Sequence, residues 1–195
     1  MRKIRIIEHI SLDGVIQSPG GPNEGGDDYP RGGWTAPYGS AAGAEAVVEA
    51  QGSKFDLLLG RRTYDMFASY WPKAGDSPIA NGLNAATKYV ATHRPDGLEW
   101  GPTAKLGADV IEGIRRVKSE EGPDIVVWGS AMLTAQLLEQ QLADELVLLV
   151  YPVLLGRGKR LFEDVDDTRV FGLVSSQTLP SGVLVNKFQR VESPR

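Results

Sequence analysis

Three consecutive leucines, Leu57-Leu58-Leu59, run straight into Gly60-Arg61-Arg62-Thr63-Tyr64, and this junction limits the possible folds more than any other stretch. A short apolar run without polar alternation reads as a strand covered on both faces, and the glycine after it reads as a turn into a helix. A second junction of the same build follows at Asp124-Ile125-Val126-Val127-Trp128-Gly129-Ser130-Ala131-Met132. Buried strands that feed helices require α/β layering. Such junctions also suit anions: glycine lets backbone approach a ligand, the first N–H groups of the helix are unpaired, and arginine adds a forked donor. Two such cradles predict one extended ligand with two phosphates, a dinucleotide.

The rest of the chain fits this frame. Residues 2–11 predict a first strand, 40–51 a helix, 55–59 a strand and 63–70 a short helix ended by Trp71-Pro72. Further helices are expected over 79–86 and 108–121, the latter from the apolar spacing of Val110, Ile111, Ile114 and Val117. Strands are expected over 88–92, 125–128 and 145–153, with a helix carrying Leu133, Leu137, Leu138 and Leu142 before the last of these. Residues 170–177 and 183–190, joined by Leu179-Pro180-Ser181-Gly182, predict a hairpin. The expected fold is α/β, three-layer, with a mostly parallel central sheet and an antiparallel C-terminal hairpin. Residues 1–195 form a single domain with a Gly/Pro-rich loop at 19–39, a composition typical of an active-site loop or an insertion, whose far end Trp34 and Tyr38 anchor.

Composition narrows the function. The formal net charge of -4 argues against a nucleic-acid or anionic-membrane surface, and no apolar run reaches membrane length. Without cysteine there is no disulfide, thiolate nucleophile or iron–sulfur ligation, no metal site is expected, and the cytoplasm is the expected compartment. Two distant histidines and no nucleophile-elbow serine give hydrolase triads little support.

Neither junction is a GxGxxG or P-loop motif. At the second, Ser130 suits both a helix cap and a phosphate contact. Thr92-His93-Arg94 ends a strand, where Thr92 and Arg94 suit a ribose 2′-phosphate, favouring NADPH over NADH, with a polar turn before Pro95 as the alternative. Ser11-Leu12-Asp13-Gly14-Val15-Ile16 offers a turn carboxylate and an apolar wall for nicotinamide. Asp13, Glu45 and Glu49 are the candidate proton donors, His9 reads as a core or cleft-wall histidine, and Arg157-Gly158-Lys159-Arg160 fits either a substrate phosphate or a dimer loop.

Taken in order, Ser11-Leu12-Asp13-Gly14, Leu58 to Tyr64, Val127-Trp128-Gly129-Ser130 and Pro152 to Gly158 resemble the dihydrofolate-reductase-like superfamily. The similarity is greatest to the branch holding the C-terminal reductase domain of the bifunctional riboflavin-biosynthesis deaminase/reductase, in a stand-alone form. This resemblance implies an NADPH-binding reductase, commonly a homodimer, acting on a small, possibly phosphorylated heterocycle as 5-amino-6-(5-phosphoribosylamino)uracil reductase does. It places Gly60, Arg61, Arg62 and Thr63 with Gly129, Ser130, Ala131, Met132 and Leu133 around the cofactor phosphates, Thr92, His93 and Arg94 near the 2′-phosphate, and Leu12, Val15 and Ile16 near nicotinamide. Asp13 and Glu45 are the catalytic candidates. A dihydrofolate or pterin reductase and a non-catalytic nucleotide-binding dimer are the alternatives.

Overall fold

The computed structural model describes residues 1–21, 24, 29–162 and 168–191. Eight strands form one sheet in the order β4-β3-β2-β5-β1-β6-β8-β7. They are β1 (Ile4–Ser11), β2 (Phe55–Gly60), β3 (Lys88–Ala91), β4 (Thr103–Ala104), β5 (Asp124–Trp128), β6 (Glu145–Tyr151), β7 (Phe171–Thr178) and β8 (Leu184–Arg190). Strands β4 to β6 of that order pair in parallel, while β8 runs antiparallel to β6 and to β7, giving the C-terminal hairpin. The helices are α1 (Ala41–Gln51), α2 (Arg61–Tyr70), α3 (Pro78–Ala85), α4 (Val110–Ser119) and α5 (Ala131–Glu139).

Alternation within the strands builds the three layers. Leu57, Leu59, Val126 and Trp128 pack with Val47, Tyr64 and Leu83 of α1, α2 and α3. Leu58, Ile125 and Val127 pack on the other face with Ile114 and Val117 of α4 and Leu133 and Leu137 of α5. Leu57, Leu58 and Leu59 are at most 1% exposed, and fully burying each contributes about 1.5–3 kcal/mol. That two-sided burial is why the leucine run shows no alternation.

Several element ends shift by a residue or two from expectation, Leu142 falls beyond α5, and two further differences have clear causes. Helix α2 starts at Arg61 rather than 63, because Gly60 itself serves as N-cap with an extended backbone. β4, absent from the expected strands, is two residues long and carries no pattern of its own; it exists through pairing with Lys88 and Tyr89. In the Gly/Pro-rich loop, Trp34 and Tyr38 do anchor the far end: the Trp34 indole N–H donates to Gln17 O at 2.9 Å, and both rings meet the Tyr151 ring edge-on. Gly25-Gly26 lie outside the described residues. No helix among the described residues is long and apolar enough to cross a membrane.

Candidate active site

The C-terminal ends of β1, β2, β3, β5 and β6 open on one cavity of about 1260 Å³, where open α/β sheets bind ligands. The two strand–glycine–helix junctions meet there. Gly60 N–H donates to Ser130 Oγ at 2.9 Å, and that oxygen lies 3.0 Å from Thr63 Oγ1, so Ser130 laces the start of α2 to the start of α5. A Cβ on Gly60 would come within 3.3 Å of Ser130 Oγ, which explains glycine at this close approach.

Ser130 does not cap α5. It sits in the left-handed region at φ 58, after Gly129 at φ 54, and no side chain caps the first turn of either α2 or α5. By contrast Ser40, Ser77 and Asp109 cap α1, α3 and α4. The two α-helix starts without a side-chain cap are thus the two that meet at this cavity, and the first-turn N–H groups of Arg61 to Thr63 and Ala131 to Leu133 are donors of the kind found at anion-binding helix N-termini.

Of the expected cofactor residues, Ile16, Gly60, Arg61, Arg62, Thr63, Thr92, His93, Gly129, Ser130, Ala131, Met132 and Leu133 line the cavity. Arg61 is already engaged: its Nε binds Asp65, and its Nη1 donates to Arg94 O at 2.6 Å and Asp96 O at 2.7 Å. It orders the 94–96 turn, and Arg62, next to it in α2, also lines the cavity. Leu12, Val15 and Arg94 are off the cavity wall. Leu12 is 59% exposed, Val15 is wholly buried, and Arg94 enters this arrangement through its carbonyl.

The three expected proton donors also lie off the cavity wall. Asp13 accepts from Ser11 Oγ at 2.7 Å, Leu155 N at 3.1 Å and Gly156 N at 2.6 Å, which ties the β1 turn to the 155–156 loop. The Ser11 hydroxyl and then the Leu155 amide hold its carboxyl down to about 2, so it is ionised and fully occupied at neutral pH. Glu45 lies on the exposed face of α1, as does Glu49.

Sequence reasoning placed His9 in the core or the cleft wall, where it lies, but passed over Glu8 and Tyr151. His9 stacks on Trp128, and its Nδ1 is 2.8 Å from Tyr151 Oη. Burial pushes the imidazole down to about 4 and the phenol up to about 12, so both are neutral at pH 7. On the opposite face of the strand, Glu8 is buried and its Oε1 has no partner among the described residues. Burial pushes its carboxyl up to about 8, opposed only in part by the Gly129 amide and Thr134. Polarity alone does not single out either group, because β1 also carries Arg5 and Ser11 among Ile4, Ile6, Ile7 and Ile10. The neutral Glu8 has a thermodynamic consequence: between about pH 4.5 and 8 the folded state keeps a proton the unfolded state has released, so stability falls as pH rises through that window. Glu8→Gln should remove this slope. Parallel melting curves of the two proteins from pH 5 to 8 would refute a buried neutral acid.

The RibD C-terminal domain family model matches residues 2–185. The chain belongs to the RibD C-terminal domain family. It is 30% identical over 132 residues to the uncharacterized protein YyaP of Bacillus subtilis (strain 168), covering 66% of this chain and 70% of that protein. Over 164 residues it is 24% identical to the uncharacterized protein YwjB of the same organism, covering 84% of each. Among solved structures, a Shewanella sp. PV-4 protein named for riboflavin biosynthesis superposes with a TM-score of 0.69 at 21% identity, covering 97% of this chain and 99% of that one. A pyrimidine reductase-like protein of Corynebacterium diphtheriae gives 0.61 at 14% identity, covering 98% and 93%. These superpositions support the dihydrofolate-reductase-like layering, and the RibD C-terminal domain seen here is such a fold with its cavity at the strand ends.

Proposed function

We propose that this protein is an NADPH-dependent reductase acting on a C=N or C=O bond of a small heterocycle. The observation that carries the reading is the pair of uncapped helix starts laced by Ser130 across one cavity. Membership of the RibD C-terminal domain family supports it further, and aligns the reaction class with the aminouracil reductase of riboflavin biosynthesis. When bound, NADPH supplies hydride from its reduced nicotinamide.

The protein's part is binding, orientation and exclusion of water. The first-turn amides of α2 and α5, with Arg62, hold the two bridging phosphates. Thr92 and the 93–94 turn, fixed by Arg61, receive the 2′-phosphate. Ile16 gives nicotinamide an apolar wall, and Trp34 and Tyr38 close the far end of the 19–39 loop against Tyr151. As hydride adds to carbon, the bond's electron pair moves to the heteroatom, which takes a proton. With Asp13 and Glu45 off the cavity wall, an ordered water is the proposed proton source.

If the 92–94 turn reads the 2′-phosphate, Thr92→Ala, which removes the hydroxyl that lines the cavity there, weakens NADPH about tenfold while leaving NADH nearly unchanged, as expected for one charge-assisted contact. Equal losses for the two cofactors would remove that assignment. Reduction itself is tested by following NADPH absorbance with aminopyrimidine, pterin and imine substrates. Oxidation with any of them supports the reductase, whereas binding without turnover across the panel favours a non-catalytic nucleotide-binding protein.

A further inference from the structure

The cavity is larger than the roughly 300–1,000 Å³ that one drug-sized ligand occupies, and its charge is unevenly distributed. Its carboxyl, arginine and lysine wall residues cluster toward the helix starts and the mouth: Arg61 and Arg62 open α2, Asp109 caps α4, Glu8 lies on the α5 face of β1, Glu24 is bonded to the amides of Gly20 and Gly21, and Lys159 stands beside Ile16. The remaining lobe lies between α1, α2–α3 and the end of β6. Val47, Phe67, Leu83, Leu149, Leu179 and Val183 give it an apolar wall, and no described residue there is charged at pH 7.

Besides Gln51 of α1, whose buried Nε2 has no partner among the described residues, a polar pair stands in this lobe. Tyr151 Oη and His9 Nδ1 are 2.8 Å apart, and both residues are on the cavity wall. A neutral imidazole and a phenol own two donor hydrogens between them, and only one can lie in their mutual bond. If the phenol donates, imidazole Nε2–H is left over; if Nδ1–H donates, the phenol O–H is left over. Either tautomer leaves one donor without an acceptor among the described residues.

We propose that this lobe is the substrate subsite, and that it selects an uncharged planar ring presenting a carbonyl or imine acceptor to the Tyr151–His9 pair while rejecting a phosphate arm. The inference rests on the reading that the helix starts take the cofactor, and it departs from a phosphorylated substrate. A phosphate pushed between Val47, Leu149 and Leu179 would lose its hydration with no cation to replace it. A ring carrying an acceptor instead satisfies the spare donor and stacks against aromatic edges. The neutral states of both residues at pH 7 fit an uncharged partner.

The test uses three ligands of one shape: 2-naphthaldehyde, 2-methylnaphthalene and 2-naphthyl phosphate. Binding is followed through the methyl NMR signals of Val47, Leu149 and Leu179, with NADP⁺ saturating the cradles. The aldehyde should bind about tenfold tighter than the hydrocarbon, and the phosphate at least about 100-fold weaker than the aldehyde. The double variant Tyr151→Phe, His9→Leu should erase the aldehyde's advantage while leaving the hydrocarbon's affinity within about twofold, a split that general damage to the fold would not give. Ala44→Arg, an exposed position on the lobe's rim, should bring the phosphate in and serves if the double variant unfolds. Tightest binding by the naphthyl phosphate, or equal binding of aldehyde and hydrocarbon to the wild type, would overturn the proposal. Failure of NADP⁺ to bind would refute the cofactor reading alone, since the same methyl signals report on the lobe in the free protein.

Discussion

Gly129→Asp is expected to lower NADPH affinity by about 100-fold without unfolding the protein. Gly129 holds φ 54, a left-handed backbone that aspartate tolerates better than most residues, and its Cβ direction is open, with Thr63 Oγ1 at 3.6 Å. The new carboxylate would stand against Thr63, between the open starts of α2 and α5, where it competes for the amides proposed to hold phosphate and repels that phosphate directly. Like-charge juxtaposition costs several kcal/mol, and about 2.7 kcal/mol corresponds to 100-fold. Gly129→Ala adds bulk at the same place without charge and should cost far less. Equal losses in the two variants would mean that shape rather than charge governs this turn, and unchanged affinity in the aspartate variant would exclude the cradle as a phosphate site. Calorimetric titration with NADPH, alongside a melting curve for each variant, separates these outcomes.

Gly113→Ala should destabilise the fold by about 3 kcal/mol, lowering the melting temperature by about 6–12 °C for a chain of this size. Helix propensity alone points the other way, since alanine in place of a helical glycine gains about 1 kcal/mol. Packing decides the sign. A Cβ at Gly113 would lie 2.2 Å from Leu106 O and 2.8 Å from its carbonyl carbon, so backbone rather than a flexible side chain would have to move. Leu106 is buried with Ile114 and Val117, and α4 begins on the cavity at Val110 and Ile111. A stabilised Gly113→Ala protein would mean that α4 does not press on Leu106 as described.

This reversal shows where the sequence stops being legible. The leucine run, the glycine junctions and the polar-to-apolar spacing of α4 are local patterns, and each appears in the structure as an element of the expected type. Gly113 reads as an ordinary helical glycine because its reason is a carbonyl seven residues away. The same limit governs the site. Gly60 to Thr63 and Gly129 to Leu133 stood out because strand, glycine and helix are adjacent in the chain, and the fold brings them to one cavity. Arg61 read as a phosphate ligand because no local feature reveals the carbonyls of Arg94 and Asp96 that occupy it. Asp13 read as an available acid because, beyond the neighbouring Ser11 hydroxyl that does most to ionise it, the Leu155 and Gly156 amides that occupy it lie 142 and 143 residues away. The Tyr151–His9 pair was hidden for a related reason: its members sit on neighbouring strands, 142 residues apart.

The most direct measurement is a backbone amide NMR titration with NADPH. Saturable binding of one dinucleotide per chain, with the largest shifts at the amides of Arg62, Thr63, Ala131 and Met132, is the predicted result. Absence of saturable shifts, or shifts that leave both helix starts unmoved, would contradict a dinucleotide held between α2 and α5.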